Sequence, residues 1–231
     1  MKKCLLTFFF LFLASIQAFC FEALNFNGFI LDEANVISPE NEIALNQVLY
    51  ELQTKTKADV AVVTLKTLQG EVIEDVSLKI ARENKLGDKK LNNGALILVV
   101  PNDRKARIEI GYGLEGALND SKAGRILDEY MIPYFKEENY EEGIIKGTLV
   151  LASEIAESYG VKLSFDKPVP PEREDNSDIL FIIILLLLLF MGGPGGFIFF
   201  GLPGGFRGGG SSGIRFGGGG GFGGGGASRG W

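Results

Sequence analysis

The chain has 231 residues and a formal net charge of −6, but its charges and glycines are unevenly distributed. All 29 acidic residues lie between Glu22 and Asp178, a segment with a net charge of −11, and 21 of the 32 glycines fall in the last 40 residues. Such an acidic segment argues against a nucleic-acid partner. Histidine is absent and the only cysteines are Cys4 and Cys20, which excludes an imidazole base, a thiolate nucleophile and the usual zinc sites from a mature domain.

Residues 1–20 have the pattern of a secretory signal peptide. Lys2 and Lys3 precede a short apolar run, and small residues follow it. Ala18 and Cys20 fit ordinary cleavage after Cys20, whereas Cys20 could instead be the lipidated first residue of a lipoprotein. Both alternatives predict export of the acidic segment.

Residues 25–160 are predicted to form one α/β domain. Apolar residues recur at helical spacing in four segments, and short β-branched runs predict strands between them. In chain order we expect a helix from Pro39 to about Lys57, a strand at 59–65, a helix at 72–86, a strand at 94–100, a turn at 101–104, a strand at 107–112, and helices at 121–132 and 141–159. This order predicts a three-layer α/β/α sandwich on a small mixed sheet. We expect Pro133 to end the third helix.

The chain beyond the domain is predicted to contain an anchor. Residues 161–178 are rich in proline and charge and predict an extended spacer. Residues 179–202 contain no charged residue in 24 positions, which is long enough to cross a bilayer core of about 30 Å. Acidic residues precede this segment, whereas arginines alone follow it, so the positive-inside rule predicts a cytoplasmic tail. The glycine-rich tail, 203–231, is predicted to be disordered.

Oxygen-bearing side chains flank the second and third strands of the domain. Asn93 precedes the strand at 94–100, and Glu115 and Asp120 follow the strand at 107–112. Glycines on both sides of Tyr112 indicate positive φ angles or close approach of the backbone. The composition suits calcium or magnesium. The alternatives are that Asp120 begins a helix, that Asn93 belongs to a turn and that Glu115 is solvated.

Three stretches resemble the TPM domain family, which includes thylakoid-lumen proteins of photosystem II repair and YgcG-like bacterial membrane proteins. They are LDEANVISPE at 31–40, ADVAVVTL at 58–65 and NNGALILVVPNDRKARIEIGYGLEGALND at 92–120. The resemblance implies a Rossmann-like sandwich with a divalent-cation site, usually for calcium. The positions of that cation site in the family correspond here to Asp32, Asn92, Asn93, Glu115 and Asp120. Asn92 stands where the family commonly has aspartate, which removes one carboxylate.

Two functions follow from this sequence. The first is a single-pass membrane protein whose extracytoplasmic domain is a cation-stabilised interaction module for assembly or turnover of envelope proteins. The second, which the resemblance implies for some members, is a calcium- or magnesium-dependent acid phosphatase. A domain at −11 repels a dianionic substrate, and Arg104 and Arg107 are expected to be ordinary solvated residues. The sequence therefore favours the interaction module.

Overall fold

Five strands form one mixed sheet in the order β1-β2-β3-β4-β5. The computed structural model describes residues 28–168 and 222–231, all of which belong to one compact unit. The strands are β1 (Ile30–Asp32), β2 (Asp59–Thr64), β3 (Gly94–Val100), β4 (Lys105–Gly111) and β5 (Phe222–Gly230). The helices are α1 (Pro39–Thr56), α2 (Ile73–Glu83), α3 (Asp120–Ile126), α4 (Ile132–Lys136) and α5 (Tyr140–Ser158).

The first three strands are parallel, and the last two form antiparallel pairs. β1 pairs with β2 and β2 with β3 in parallel, whereas β3–β4 and β4–β5 are antiparallel. A short 3-10 turn, Pro101–Asp103, joins β3 to β4, and Arg104 closes it with a left-handed φ of 50°. The predicted α/β class and the mixed sheet are therefore confirmed.

Alternate residues of the central strands face two separate apolar clusters. Val60 and Val62 pack with residues of α1 and of the α3–α5 segment, whereas Ala61 and Val63 pack with residues of α2. The two-residue period of a strand sends successive side chains to opposite faces. Because both faces are apolar, helices cover both sides of the sheet.

Pro133 does not end the third helix, contrary to the sequence prediction. A π-helical turn at Leu127–Met131 follows α3, and Pro133 lies in the first turn of α4. Proline is tolerated there because the first N–H groups of a helix have no intrahelical acceptor. The helical path therefore continues to Lys136.

The last residues of the sequence form β5, although the tail from 203 onward is predicted to be disordered. β5 pairs along β4 from Lys105↔Gly230 to Gly111↔Phe222, with one register shift between Ile110 and Gly111. The edge of β4 supplies backbone partners that a local sequence pattern cannot reveal. The prediction of disorder is therefore wrong for 222–230.

The predicted signal peptide, most of the spacer and the predicted span at 179–202 lie outside the described residues. Among the helices in the described ranges, none combines the length and the hydrophobicity needed to cross a membrane.

Candidate functional site along the β4 edge

Two loops meet where β3 begins and β4 ends. The Gly113 N–H donates to the Asn92 carbonyl at 2.9 Å, and a Cβ atom at Gly113 would collide with the carbonyl oxygen of Leu91. The residue after Tyr112 is therefore glycine because another backbone passes close to it. The predicted close approach of the backbone at this glycine is therefore confirmed.

Asn93 supports this loop from inside the domain. Its side chain is fully buried. Its Oδ1 accepts from the Asp88 N–H at 2.9 Å, and its Nδ2 donates to Tyr159 Oη at 3.2 Å. Neighbouring Asn92 has a left-handed φ of 51°, which asparagine tolerates better than most residues. Both ends of the Asn93 amide are engaged in the fold, so Asn93 shapes the turn before β3.

Asp32 lies at the opposite end of the sheet. It pairs in register with Thr64 at the carboxyl end of β2, whereas Asn93 precedes the amino end of β3. At about 3.3 Å per residue, the length of β2 separates these ends by roughly 16 Å. The Asp32 carboxylate accepts from the Thr64 hydroxyl and, at 2.8 Å, from the Ile37 N–H. It therefore holds the loop that leads into α1.

Glu115 and Asp120 both face the backbone of β5. Asn119 caps α3 by accepting from the Lys122 N–H at 2.9 Å, which places Asp120 in the first turn. Asp120 Oδ1 accepts from the Gly226 N–H at 2.8 Å. A Cβ atom at Gly225 would lie 3.3 Å from Glu115 Oε1. The structure therefore brings together these two carboxylates beside the same glycine segment.

The five predicted cation ligands do not form one coordination shell. Asp32 is at the far end of the sheet and the amide of Asn93 is engaged in the fold. Across residues 28–168 and 222–231, no three acidic side chains are grouped closely enough to hold a metal ion. Calcium usually takes six to eight oxygen ligands, and Glu115 with Asp120 would supply only part of such a set.

A buried ion pair on β4 was not expected from the sequence. Arg107 and Glu109 are 4% and 0% exposed, and Arg107 Nη2 lies 2.6 Å from Glu109 Oε2. Arg107 also donates to Ser77 of α2 at 2.9 Å. Burial raises the pKa of Glu109, although the charge of Arg107 and hydrogen bonds from Arg107 and Ser77 oppose this shift. The sequence signal that could have predicted this pair is the presence of opposite charges two residues apart, which places both side chains on the same face of a strand.

The same arginine also contacts β5. Arg107 Nη2 donates to the Gly224 carbonyl at 3.1 Å, and Nη1 donates to Ser228 Oγ at 3.0 Å. The prediction that Arg107 is an ordinary solvated residue is therefore wrong. β5 covers the buried ion pair of Arg107 and Glu109 and supplies hydrogen-bond acceptors to Arg107. A buried charge that loses its partners costs free energy.

Each end of the β5 segment has an aromatic anchor. Phe222 is 4% exposed and packs in the cluster on the α2 face. The Trp231 ring lies 4.8 Å from the ring of Phe135 and 6.0 Å from that of Tyr140, measured between centroids. These spacings are typical of favourable aromatic pairs.

Between the anchors, Arg229 forms a forked ion pair with Asp128. Its Nε and Nη2 atoms donate to the two carboxylate oxygens at 2.7 and 2.9 Å. The hydrogen bond to Asp128 raises the pKa of Arg229. The contacts of β5 therefore include main-chain pairing, two aromatic anchors and specific polar bonds.

Comparison with known proteins identifies the domain that carries this edge. A sequence profile for the TPM domain matches residues 30–154. The solution structure of the N-terminal domain of a P. gingivalis protein is 37% identical, with a TM-score of 0.55, and the match covers 58% of this chain and 85% of that one. Protein BA42 from Bizionia argentinensis is 22% identical, with a TM-score of 0.46, over 52% of this chain and 82% of that one. Among proteins of curated function, none matches.

Proposed function

Since the chain belongs to the TPM domain family, we propose that it is a membrane-anchored extracytoplasmic interaction module that supports assembly or turnover of envelope proteins. Two sequence features support export and anchoring, namely the signal-peptide pattern of residues 1–20 and the uncharged segment 179–202. The partner in this role is a membrane or envelope protein.

The pairing of β5 with β4 is the observation that carries the proposal. β4 pairs with β3 from Lys105 to Ile110 on one side, and its other side pairs with a segment more than 100 residues away in sequence. Addition of an extended segment to a sheet edge is a common mode of peptide recognition, because main-chain bonds supply affinity and side-chain contacts supply specificity. The pairing of β4 with a distant extended segment therefore supports a module that binds extended segments.

Cation binding remains a prediction restricted to Glu115 and Asp120. Both carboxylates are exposed, and calcium or magnesium would need further oxygens from backbone or water. The interaction role does not require this ion, since Asp120 is already held by the Gly226 N–H.

A phosphatase has weaker support from the same residues. Hydrolysis of a phosphomonoester needs cationic groups to stabilise the transferred phosphoryl group. The cleft between α3 and α5 contains Lys122, Arg125 and Lys167, and the two lysines pair with Glu154 at 2.8 and 2.6 Å. The charge of both lysines is thus already engaged within the domain, which leaves Arg125 as the remaining cation of the cleft lining.

A single comparison on the purified full-length protein separates these roles. Turnover of a phosphomonoester and the melting temperature are measured with and without calcium for wild type, Asp120→Asn and the control Glu71→Gln. The amide introduced by Asp120→Asn keeps an oxygen that can accept from the Gly226 N–H, so the variant tests the charge rather than the pairing. Glu71 is an exposed acid between β2 and α2.

The interaction module predicts no turnover in any of the three proteins. A rise in melting temperature with calcium that Asp120→Asn abolishes and Glu71→Gln retains would support the cation prediction. Turnover that only Asp120→Asn abolishes would overturn the module in favour of the phosphatase. Absence of any calcium effect would refute the cation prediction alone.

A further inference from the structure

The surface that receives β5 selects glycine at particular positions. Gly226 has a φ of +135°, and a Cβ atom there would collide with the carbonyl oxygen of Ile108. A Cβ atom at Gly223 would collide with Tyr112 Oη. Side chains at these two positions cannot be accommodated without moving β4 or Tyr112, so the surface discriminates between extended segments.

The receiving side is shaped to match the polar part of β5. At Gly124 of α3, a Cβ atom would lie 2.7 Å from Arg229 Nη2. The absence of a side chain at Gly124 lets the guanidinium reach Asp128. Ser228 accepts from Arg107 and donates to the carboxylate of Glu74. These contacts specify a small hydroxyl residue followed by arginine.

We propose that the β4 edge is a binding site for an extended glycine-rich peptide with an aromatic residue at each end, and that its occupant is the chain's own segment 222–231. It follows that this segment lies on the same side of the membrane as the TPM domain. The inference rests on the proposed export and anchoring. Its ligand is identified by chemistry, namely Phe222, four consecutive glycines and the run from Ser228 to Trp231.

This inference changes the predicted membrane topology, in which the tail was placed in the cytoplasm. Backbone pairs join strands about 4.8 Å apart, whereas the hydrocarbon core of a bilayer is about 30 Å thick. A single crossing by 179–202 would separate β5 from β4. The pairing of β5 with β4 therefore requires both strands to lie on the same side of the membrane.

The positive-inside argument for a cytoplasmic tail also loses one of its charges. It counts Arg207, Arg215 and Arg229. Arg229 forms its forked pair with Asp128 on the domain surface. Because this ion pair accounts for an arginine at position 229, Arg229 is no longer evidence for a cytoplasmic tail.

Cysteine chemistry in intact cells tests the site and the topology together. Lys105 and Gly230 are register partners and both are exposed. Full-length protein carrying Lys105→Cys with Gly230→Cys is expressed in cells with an oxidising exported compartment, where disulfides form. The controls are the two single variants and the pair Lys105→Cys with Gly225→Cys, in which Gly225 pairs with Ile110, roughly 16 Å along β4 from Lys105.

Several results would support the proposal. The protein remains with the membrane fraction, and the matched pair forms a disulfide within one chain, whereas the mismatched pair gives a several-fold lower yield. The single variant Gly230→Cys reacts with a membrane-impermeant maleimide in intact cells. Added peptide of sequence FGGGGASRGW lowers the disulfide yield of the matched pair under a reversible redox buffer.

Other results would overturn it. Labelling of Gly230→Cys only after lysis would put the segment on the cytoplasmic side. A disulfide-linked dimer in place of the intrachain product would make a second copy the occupant. Loss of the protein from the membrane fraction with the intrachain disulfide intact would instead refute the proposed anchoring and leave the peptide site in place.

Discussion

β3 and β5 flank the same strand, β4, but are held there by different forces. All seven residues of β3 are buried, six of the seven are apolar, and the strand is paired on both sides. β5 has five glycines among nine residues, and only Phe222 and Ala227 are buried. Apolar burial thus secures β3, whereas main-chain pairing and a few anchors secure β5. From this comparison we expect that β5 can leave the sheet without unfolding of the domain.

The largest expected effect comes from weakening β3. Leu98 is fully buried in the cluster on the α2 face, and Leu98→Ala should lower the free energy of unfolding by about 2–5 kcal/mol. The matched control is Leu91→Ala, at a side chain that is 48% exposed. Urea unfolding of the full chain measures both. An equal loss in both variants would contradict the assignment of β3 to the core.

A second substitution should release β5 and leave the domain folded. Gly226→Ala places a Cβ atom against the carbonyl of Ile108 at a φ of +135°, so we expect faster hydrogen exchange along β4 with little change in the urea midpoint. The control is Gly116→Ala, because a Cβ atom at Gly116 would meet nothing within 4 Å. Global unfolding of the Gly226 variant would show that β5 is integral to the core.

Loss of one aromatic anchor should weaken docking less than a backbone collision. Trp231→Ala removes the contacts with Phe135 and Tyr140, and each such aromatic pair contributes about 0.5–1.5 kcal/mol beyond apolar burial. Hydrogen exchange of β5 amides should accelerate, while Trp231→Phe should retain most of the protection. Equal exchange in the alanine variant and wild type would mean that the ring is not an anchor.

The smallest expected effect is a dependence of docking on pH. Burial raises the pKa of Glu74, but the hydrogen bond from Ser228 and the charge of Arg107 outweigh it and hold the pKa below its usual value of 4.5. Because the pKa of Glu74 is lowered in the folded state, ionised Glu74 contributes fully to the docking of β5 above pH 4.5. This contribution is lost as the pH falls through the folded-state pKa.

The fluorescence of Trp231, the chain's single tryptophan, can follow this acid transition. We expect the emission to shift toward that of a solvated indole below about pH 4.5 as docking weakens. Ser228→Ala should show weaker docking at neutral pH and a flatter acid response. A response of the same shape in both proteins would assign the titration to another carboxylate.

Local patterns correctly predicted much of the interior of the domain. The β-branched run ending at Thr64 and the apolar run from Gly94 to Val100 became β2 and β3 because such runs are stable where both sheet faces are covered. Pro39 marked the start of α1. β1 was not predicted because three residues give too little periodicity.

The candidate site was predicted only in part, for a reason that concerns strand direction. Asp32 and Asn93 were both predicted to be cation ligands. Asp32 lies at the carboxyl end of β1, whereas Asn93 lies before the amino end of β3. Because these strands are parallel, the two residues lie at opposite ends of the sheet. Glu115 and Asp120 were found because one short loop and a helix start connect them. Both carboxylates face the backbone of Gly225 and Gly226, which lies more than 100 residues away in sequence. A local sequence pattern could therefore not reveal this contact.

The sequence by itself determined the α/β class, the buried strands and the acidic character of the domain, because these depend on composition and short-range periodicity. Only the tertiary structure decided that Phe222–Gly230 is a strand. Glycine has a low strand propensity and a high entropic cost of ordering, so its conformation is set by the partner. The edge of β4, the buried Arg107 and the rings of Phe135 and Tyr140 beside Trp231 provide that partner, and they come together only after the domain has folded.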